Sequence, residues 1–222
     1  MLNDEWIRAE DPVSIIKKYY SSPISKDNSM VYCPAVKKSI KNVYGLKSIY
    51  DFKLIYDGDT LKSFDYDQNF FNQYVTFRNV ENRLISFGMN YIFFAEKEIE
   101  MEAYIHPFLE ENDFNKKVYF IPGSFDISKW FRPIECPFFL KKEYNDVSFK
   151  RDEIYTYIKF CTNENIKFKK FYPTDKIKNF VSSTLNSTRG IKWGCPVHDL
   201  NDFYKLFSFR KQLIKEIKNN LI

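Results

Sequence analysis

The chain has 222 residues, of which 44% are hydrophobic and 28% are charged, and its 34 basic and 29 acidic side chains leave a net charge of +5. Phe, Tyr and Trp make up 19% of the residues, while Gly and Pro number only six and nine. So much aromatic surface excludes intrinsic disorder, and the scarcity of Gly and Pro excludes collagen-like and low-complexity chains. The length suits one structural domain with an ample core.

Targeting signals are missing from the sequence. No uninterrupted apolar run is long enough to span a bilayer, and the charged segment MLNDEWIRAEDP lacks the apolar stretch of a secretory signal. Four irregularly spaced cysteines are too few for a disulfide scaffold. We therefore expect a soluble, cytoplasmic protein with no membrane partner.

Residues 1–49 are predicted to form a helical and extended segment that packs on the core. The Asp11-Pro12 pair predicts a helix through residue 20, because Asp caps the first turn and Pro is favoured at the first helical position. A second helical turn is predicted over residues 34–40, again with Pro at its start.

Residues 50–173 are predicted to form the β-sandwich core. Short apolar or alternating runs are separated by turn signals, with hairpins at Asp57-Gly58 and at residues 163–165. The predicted strands cover residues 52–56, 74–77, 84–87, 91–94, 118–121, 138–140, 154–160 and 166–171. Because few helices fit between them, we expect a mainly β protein with flanking helices, built as an antiparallel β-sandwich or jelly roll.

Residues 174–222 are predicted to be helical. Thr174 or Asp175 can cap a helix that ends at Leu185, and Asp199 can cap a longer C-terminal amphipathic helix. The apolar residues of the second helix recur with a 3–4 spacing: Leu200, Phe203, Phe207, Ile214, Ile217 and Leu221. We expect this helix to pack on the sheet, with pairing to another copy as the alternative. No flexible linker divides the chain, so we expect one structural domain.

The charge is unevenly distributed along the chain. Residues 1–140 hold 17 basic and 20 acidic side chains, whereas residues 141–222 hold 17 and 9. The basic third could bind nucleic acid or an acidic protein, and the candidates for single-strand binding are Lys167, Lys169, Lys170 and Lys192. Only seven of the basic residues are Arg, which phosphate and base recognition prefer, so we favour docking to a protein.

Catalytic motifs are missing as well. The only histidines are His106 and His198, and neither has the His-x-Asp spacing of an iron dioxygenase. There is no G-x-S-x-G elbow and no phosphate-binding glycine loop. Cys195 and His198 have the C-x-x-H spacing of zinc ligands, an alternative metal site that lacks a second close pair. We predict no cofactor and no catalytic residue.

Carboxylates alternate along one short stretch: Glu96, Glu98, Glu100 and Glu102. In a strand they would share one face, as a cation site or a glycosidase-like carboxylate pair would require. The solvent face of a half-buried antiparallel strand has the same alternation, and we favour that interpretation.

A candidate binding surface follows the Pro-Gly turn at residues 122–123. It consists of Asp126, Trp130, Phe131 and Arg132. Aromatic faces beside a guanidinium suit the anchoring of a sugar, a nucleobase or a partner protein. The alternative is that the Trp closes one end of the sandwich while the Arg binds loop carbonyls.

Several short stretches, spread over most of the chain, are shared with one group of proteins. They are EWIRAE (5–10), CPA (33–35), IPG (121–123), DI (126–127) with KWFRP (129–133), and EIY (153–155) with IKF (158–160). In them the chain resembles a family of short uncharacterised proteins encoded by large tailed phages of marine bacteria. The resemblance implies a phage gene, a remotely cupin-like sandwich, and a place in the infected host cytoplasm or the virion. It implies no activity.

The sequence therefore favours a non-catalytic binding or structural protein. Its expected partner is a host factor, a virion component or another copy of the chain. One alternative is a cupin-like enzyme or small-molecule binder that acts in the mouth of the sandwich. Another is a protein that binds single-stranded nucleic acid through its basic C-terminal third.

Overall fold

A computed structural model describes residues 12–16, 33–63, 65–104, 112–190 and 209–222. Its strands are β1 (Val13–Ser14), β2 (Val43–Lys47), β3 (Phe52–Tyr56), β4 (Leu61–Lys62), β5 (Val75–Asn79), β6 (Leu84–Phe87), β7 (Glu100–Tyr104), β8 (Val118–Phe120), β9 (Ser124–Asp126), β10 (Cys136–Leu140), β11 (Asp146–Phe149) and β12 (Ile154–Phe160). Its helices are α1 (Pro34–Ser39), α2 (Gln68–Tyr74), α3 (Asp113–Lys117), α4 (Asp175–Gly190) and α5 (Phe209–Asn219).

The strands form three sheets, and every strand pair in them is antiparallel. The largest sheet has the order β1-β2-β12-β7-β9, the second β5-β6-β10-β8 and the third β11-β3-β4. The prediction of a mainly antiparallel β protein with few helices is confirmed. In the largest sheet, β12 lies between β2 and β7, and all its residues except Lys159 are buried.

Aromatic rings fill the space between the three sheets. The rings of Phe87 and Phe149 stack with centroids 4.0 Å apart, and Phe114 lies 4.2 Å from Phe149. These three side chains come from or beside different sheets and are almost completely buried. Most of the aromatic composition is therefore used for close packing inside the fold.

A second core cluster joins the C-terminal helices to the sheet region. Its buried members are Phe131, Ile177, Phe180, Val181, Leu213 and Ile217. Helix α4 begins as predicted, because Thr174 Oγ1 accepts a hydrogen bond of 3.3 Å from the Ile177 N–H, but it runs beyond Leu185 to Gly190. The start predicted for the second helix, at Asp199, lies outside the described residues.

Two other local predictions are confirmed. The hairpin at Asp57-Gly58 joins β3 to β4: Asp57 Oδ1 accepts the Thr60 N–H at 2.9 Å, and Gly58 has a φ of +109°. The helical turn predicted over residues 34–40 is α1. No helix among the described residues is long and apolar enough to cross a membrane.

The N-terminal prediction and the acidic-strand prediction are wrong in part. Val13 and Ser14 form β1, because they pair with Gly45 and Tyr44 of β2 where a helix was expected, whereas the next two residues, Ile15 and Ile16, are helical as predicted. Residues 17–20 lie outside the described residues. The carboxylate alternation holds only from residue 100 onward, where β7 begins, so Glu96 and Glu98 precede the strand.

Two predicted strands join no sheet. Residues 91–94 belong to no strand, and residues 166–171 contain only an isolated bridge between Phe171 and Leu221. The hairpin predicted at residues 163–165 is therefore wrong. In the other direction, β2, β9, β11, α2 and α3 form where no element was predicted.

Candidate binding groove

These two segments, which belong to no sheet of the described chain, line the same groove, whose volume is about 640 Å³. We call residues 91–95 the inner segment and residues 165–169 the open edge. The third wall comes from α5 and the residues after it. The apolar lining includes Tyr91, Ile92, Phe93, Phe94, Ile99, Phe160, Ile166, Phe168, Phe171, Ile214, Ile217, Leu221 and Ile222.

The inner segment runs between the two core clusters, which explains why no strand pairs with it. Phe93 packs with the main core, whereas Ile92 and Phe94 pack with the second cluster. Among the described residues, backbone hydrogen bonds hold the two ends of the inner segment: the Ile134 N–H donates to the Tyr91 carbonyl at 2.8 Å, and the Ala95 N–H donates to the Ile127 carbonyl at 3.4 Å. Side chains of the inner segment are thus used for packing on two core clusters, and residues 92–94 also line the groove.

The open edge is anchored on both sides. Before it, the Asn42 side-chain amide donates to the carbonyls of Thr162 (2.8 Å) and Glu164 (2.9 Å). After it, the Ile222 N–H donates to the Lys170 carbonyl at 2.9 Å. These hydrogen bonds flank the open edge, which lines the groove between them.

Side chains alternate along the open edge as they do in a half-buried strand. Ile166 and Phe168 are partly buried against the main core, and the Phe168 ring lies 4.9 Å from that of Tyr44 and 5.9 Å from that of Phe93. Lys167 and Lys169 are exposed, and within the described part of the chain neither makes an ion pair. The edge has an apolar inner face and a cationic outer face.

Backbone groups along this groove lack protein partners. Among the described residues, no backbone hydrogen bond is made by residues 92–94 or by residues 165–169. Nearly all backbone N–H and C=O groups in folded proteins are paired with the chain, with water or with a ligand. The backbone groups of these eight positions have no partner among the described residues, so they can bind water or a ligand that brings its own donors and acceptors.

The rim of the groove is basic. Five lysines line it (97, 167, 169, 170 and 218) against two glutamates (96 and 164). Both glutamates are paired: Lys218 Nζ lies 2.9 Å from Glu96, and Lys97 Nζ lies 3.4 Å from Glu164. These pairs connect separate walls of the groove, and the exposed lysines of the open edge add positive charge.

A smaller cavity of about 160 Å³ lies between the largest sheet and the second sheet. Its lining includes Cys136 and Thr156 beside apolar side chains. Burial raises the pKa of the Cys136 thiol to about 12, against a smaller lowering by a hydrogen bond with Thr156. The thiol stays protonated at neutral pH, so this cavity offers no activated nucleophile.

The four predicted binding residues have different roles. Trp130 and Arg132 form a pair at the surface, whereas Phe131 and Asp126 support the surrounding structure. Trp130 is half-buried between the Phe125 ring (centroids 5.0 Å apart) and the Arg132 guanidinium, 5.2 Å from its ring centre. Phe131 is buried in the second core cluster, where it meets Phe94 beneath the groove.

Asp126 is a turn-forming residue. Its carboxylate accepts the Ser128 N–H at 2.8 Å and forms an ion pair of 2.9 Å with Lys129. Burial opposes ionisation, but the hydrogen bonds from Lys129 and Ser128 outweigh it and lower the pKa of Asp126. The carboxylate therefore holds the turn that carries Trp130.

The alternative metal ligands Cys195 and His198, and also Lys192, lie outside the described residues. Within the described part of the chain, no three His, Cys, Asp or Glu side chains are grouped so that they could hold a metal ion.

The sequence indicates several residues that line the groove, but not that they lie together. Lys167, Lys169 and Lys170 were singled out as a basic patch, and the 3–4 spacing included Ile214, Ile217 and Leu221. What the sequence did not reveal is that these residues meet the inner segment. The sequence signal for the inner segment is the strand-like pattern of residues 91–94, which predicts a strand in a sheet rather than a wall of a groove.

Fold and site together define a mainly antiparallel β protein with an apolar, basic-rimmed groove beside its core. No family model, no curated protein and no solved structure matches the chain. The groove is therefore interpreted from its own residues.

Proposed function

We propose that this protein is a non-catalytic binding module whose groove accepts an extended, acidic and apolar segment of a protein partner. The observation that carries the proposal is that residues 92–94 and 165–169 line one groove and make no backbone hydrogen bond to any described residue. An extended peptide brings N–H and C=O groups at regular spacing, which a compact ligand does not.

The chemistry of the lining defines the segment that would fit. Aromatic and aliphatic side chains form the floor, and Leu221 (42% exposed) and Ile222 (75% exposed) present further apolar surface at its lip. Burial of such surface favours apolar side chains in the ligand. Lysines on the rim favour carboxylates, both by attraction and by faster association.

A protein segment fits this groove better than single-stranded nucleic acid does. The Phe93, Phe160 and Phe168 rings pack against one another at steep or tilted angles, so they do not offer the free faces on which bases stack. Among the described residues that line the groove there is no Arg, the better phosphate ligand.

A small-molecule site in the mouth of the sandwich is less well supported. The cavity between the sheets measures about 160 Å³, whereas drug-sized ligands occupy roughly 300–1,000 Å³. Its thiol is protonated and buried, and rings fill the rest of the interior.

The finer predictions from sequence belong to this proposal. They are the jelly-roll, cupin-like form of the sandwich, the origin in a tailed phage, and a host factor or virion component as partner. A phage protein that binds a short segment of another protein needs no catalytic residue, which agrees with the motifs that the sequence lacks.

The test is selection of a displayed library of random peptides on the purified protein. Binders are counted only when they are lost on the Lys167→Glu/Lys169→Glu variant and kept on Lys211→Glu/Lys215→Glu. The control variant makes the same charge change at exposed positions of α5 that do not line the groove.

We expect the selected peptides to combine acidic and apolar residues. Selection of basic peptides, or of none that depend on the open-edge lysines, would overturn the proposal. A labelled oligothymidylate that binds wild type and is lost on the same variant would assign the groove to nucleic acid instead.

A further inference from the structure

We propose that the partner segment binds as an added β-strand along the open edge, residues 165–169. This inference rests on the proposed function and states how the segment is held. Strand addition requires a strand-like backbone whose donors and acceptors have no partner; side-chain exposure alternates along the open edge, and no backbone hydrogen bond joins it to another described residue. It also requires that the rest of the fold leave room beside the edge, which the groove supplies.

The side-chain alternation of the open edge specifies the partner. Residues opposite one another in paired strands project to the same face, so partner residues beside Ile166 and Phe168 face the apolar groove. Partner residues beside Lys167 and Lys169 face solvent. These lysines are two positions apart, or roughly 7 Å along the strand, so a segment with an acidic residue at every second position matches them.

The open edge is held in place before the partner arrives. The Asn42 amide binds the carbonyls of Thr162 and Glu164 at one end, and the Ile222 N–H binds the Lys170 carbonyl at the other. The rings of Phe168, Phe160 and Tyr44 fix the inner face. Preorganisation of this kind lowers the entropy that binding loses.

A second copy of the chain is a poorer occupant than an acidic partner. Antiparallel pairing of two open edges would set Lys167 and Lys169 of one copy opposite those of the other, and like charges opposite one another destabilise a strand pair. Lysines on exposed edges are a common means of preventing such self-pairing. The same charges attract an acidic strand.

Backbone methylation of the peptide tests strand addition. We take an acidic–apolar peptide from the selection described above and prepare versions N-methylated at one residue at a time. In an added strand only every second N–H faces the edge, so we expect affinity to alternate along the peptide. Methylation at the paired positions should weaken binding at least tenfold, while the positions between should change it less than threefold.

The outcomes separate the two proposals. Binding with no alternation, in which all methylated peptides behave alike, would overturn strand addition and leave the groove as a side-chain binding site. Absence of any peptide that binds through the groove would overturn the proposed function itself. Self-association of wild type that the peptide displaces would show a second copy on the edge and contradict the inference.

Discussion

Strand β12 and the open edge lie a few residues apart in the chain, and the sequence predicts a strand at both, yet only β12 is in a sheet. β12 is hydrogen-bonded on both sides, by β2 and by β7, and nearly all of it is buried. Side-chain exposure alternates along the open edge, which has no backbone partner among the described residues.

The difference shows that strand-forming sequence and strand pairing are separate properties. β12 is stabilised by its neighbours, whereas the open edge is stabilised by side-chain packing on one face and by anchors at its ends. The backbone N–H and C=O groups of the open edge therefore remain available to a partner. Four predictions test this contrast, from the largest expected effect to the smallest.

The first compares one ring from each region. Phe149→Ala removes a fully buried ring that stacks on Phe87, and should lower the free energy of unfolding by about 3–5 kcal/mol. Phe168→Ala, at the half-buried open edge, should cost only about 1 kcal/mol. Urea unfolding followed by circular dichroism measures both, and equal losses would contradict the contrast.

The second concerns the backbone where β6 ends. A Cβ added at Gly88 would lie 2.5 Å from the Ile134 carbonyl oxygen, so Gly88→Ala should destabilise the fold by about 1–3 kcal/mol. Gly123→Ala is the matched control, because an added Cβ there meets nothing within 4 Å. The free energy of unfolding of Gly123→Ala should stay within about 0.5 kcal/mol of wild type. An equal loss of stability in both variants would contradict the close contact between Gly88 and the Ile134 carbonyl.

The third concerns acid. Burial opposes ionisation of Asp113, but the ion pair with Lys117 (2.9 Å) and two hydrogen bonds from Ser148 outweigh it and lower the pKa of Asp113. A lowered pKa contributes stability above the unfolded value of about 3.9, and this contribution is lost as the pH falls through the folded pKa. Asp113→Asn should therefore be less stable than wild type at neutral pH.

This gap should narrow in acid. Unfolding midpoints of wild type and Asp113→Asn are compared near pH 7 and near pH 3. The control is Asp59→Asn, whose carboxylate makes no hydrogen bond within the described residues. If wild type and Asp113→Asn differed in stability by the same amount at both pH values, the ionised Asp113 carboxylate would not be the group that stabilises the contact between α3 and β11.

The fourth predicts almost no change in stability. Lys167→Glu/Lys169→Glu alters exposed side chains that make no ion pair within the described chain, so its unfolding free energy should lie within about 0.5 kcal/mol of wild type. Thermal unfolding measures this. A large loss would mean that the lysines serve the fold, and the open edge would not be free for a partner.

Local signals were read correctly from the sequence because neighbouring residues determine them. The Asp57-Gly58 hairpin and the Thr174 cap each depend on contacts within a few positions. The groove was not predictable in this way, since its walls come from residues near 91, 165 and 214, which only the folded chain brings together.

Sequence patterns could not predict which strand-like segments pair with a neighbouring strand in a sheet. Residues 91–94 have the composition of a strand, but they are enclosed by two core clusters that use both faces. Val13 and Ser14 follow a good helix start, but β2 offers them an edge to pair with. In each case a distant partner, present or missing, overrides the local pattern.

Hydrogen exchange with residue resolution tests the central claim most directly. In the free protein we expect strong protection of the β12 amides and rapid exchange at residues 165–169, because only the former have backbone partners. Addition of an acidic–apolar peptide should then protect alternate amides of the open edge and leave β12 unchanged. Protection of the open edge equal to that of β12 in the free protein would contradict the account.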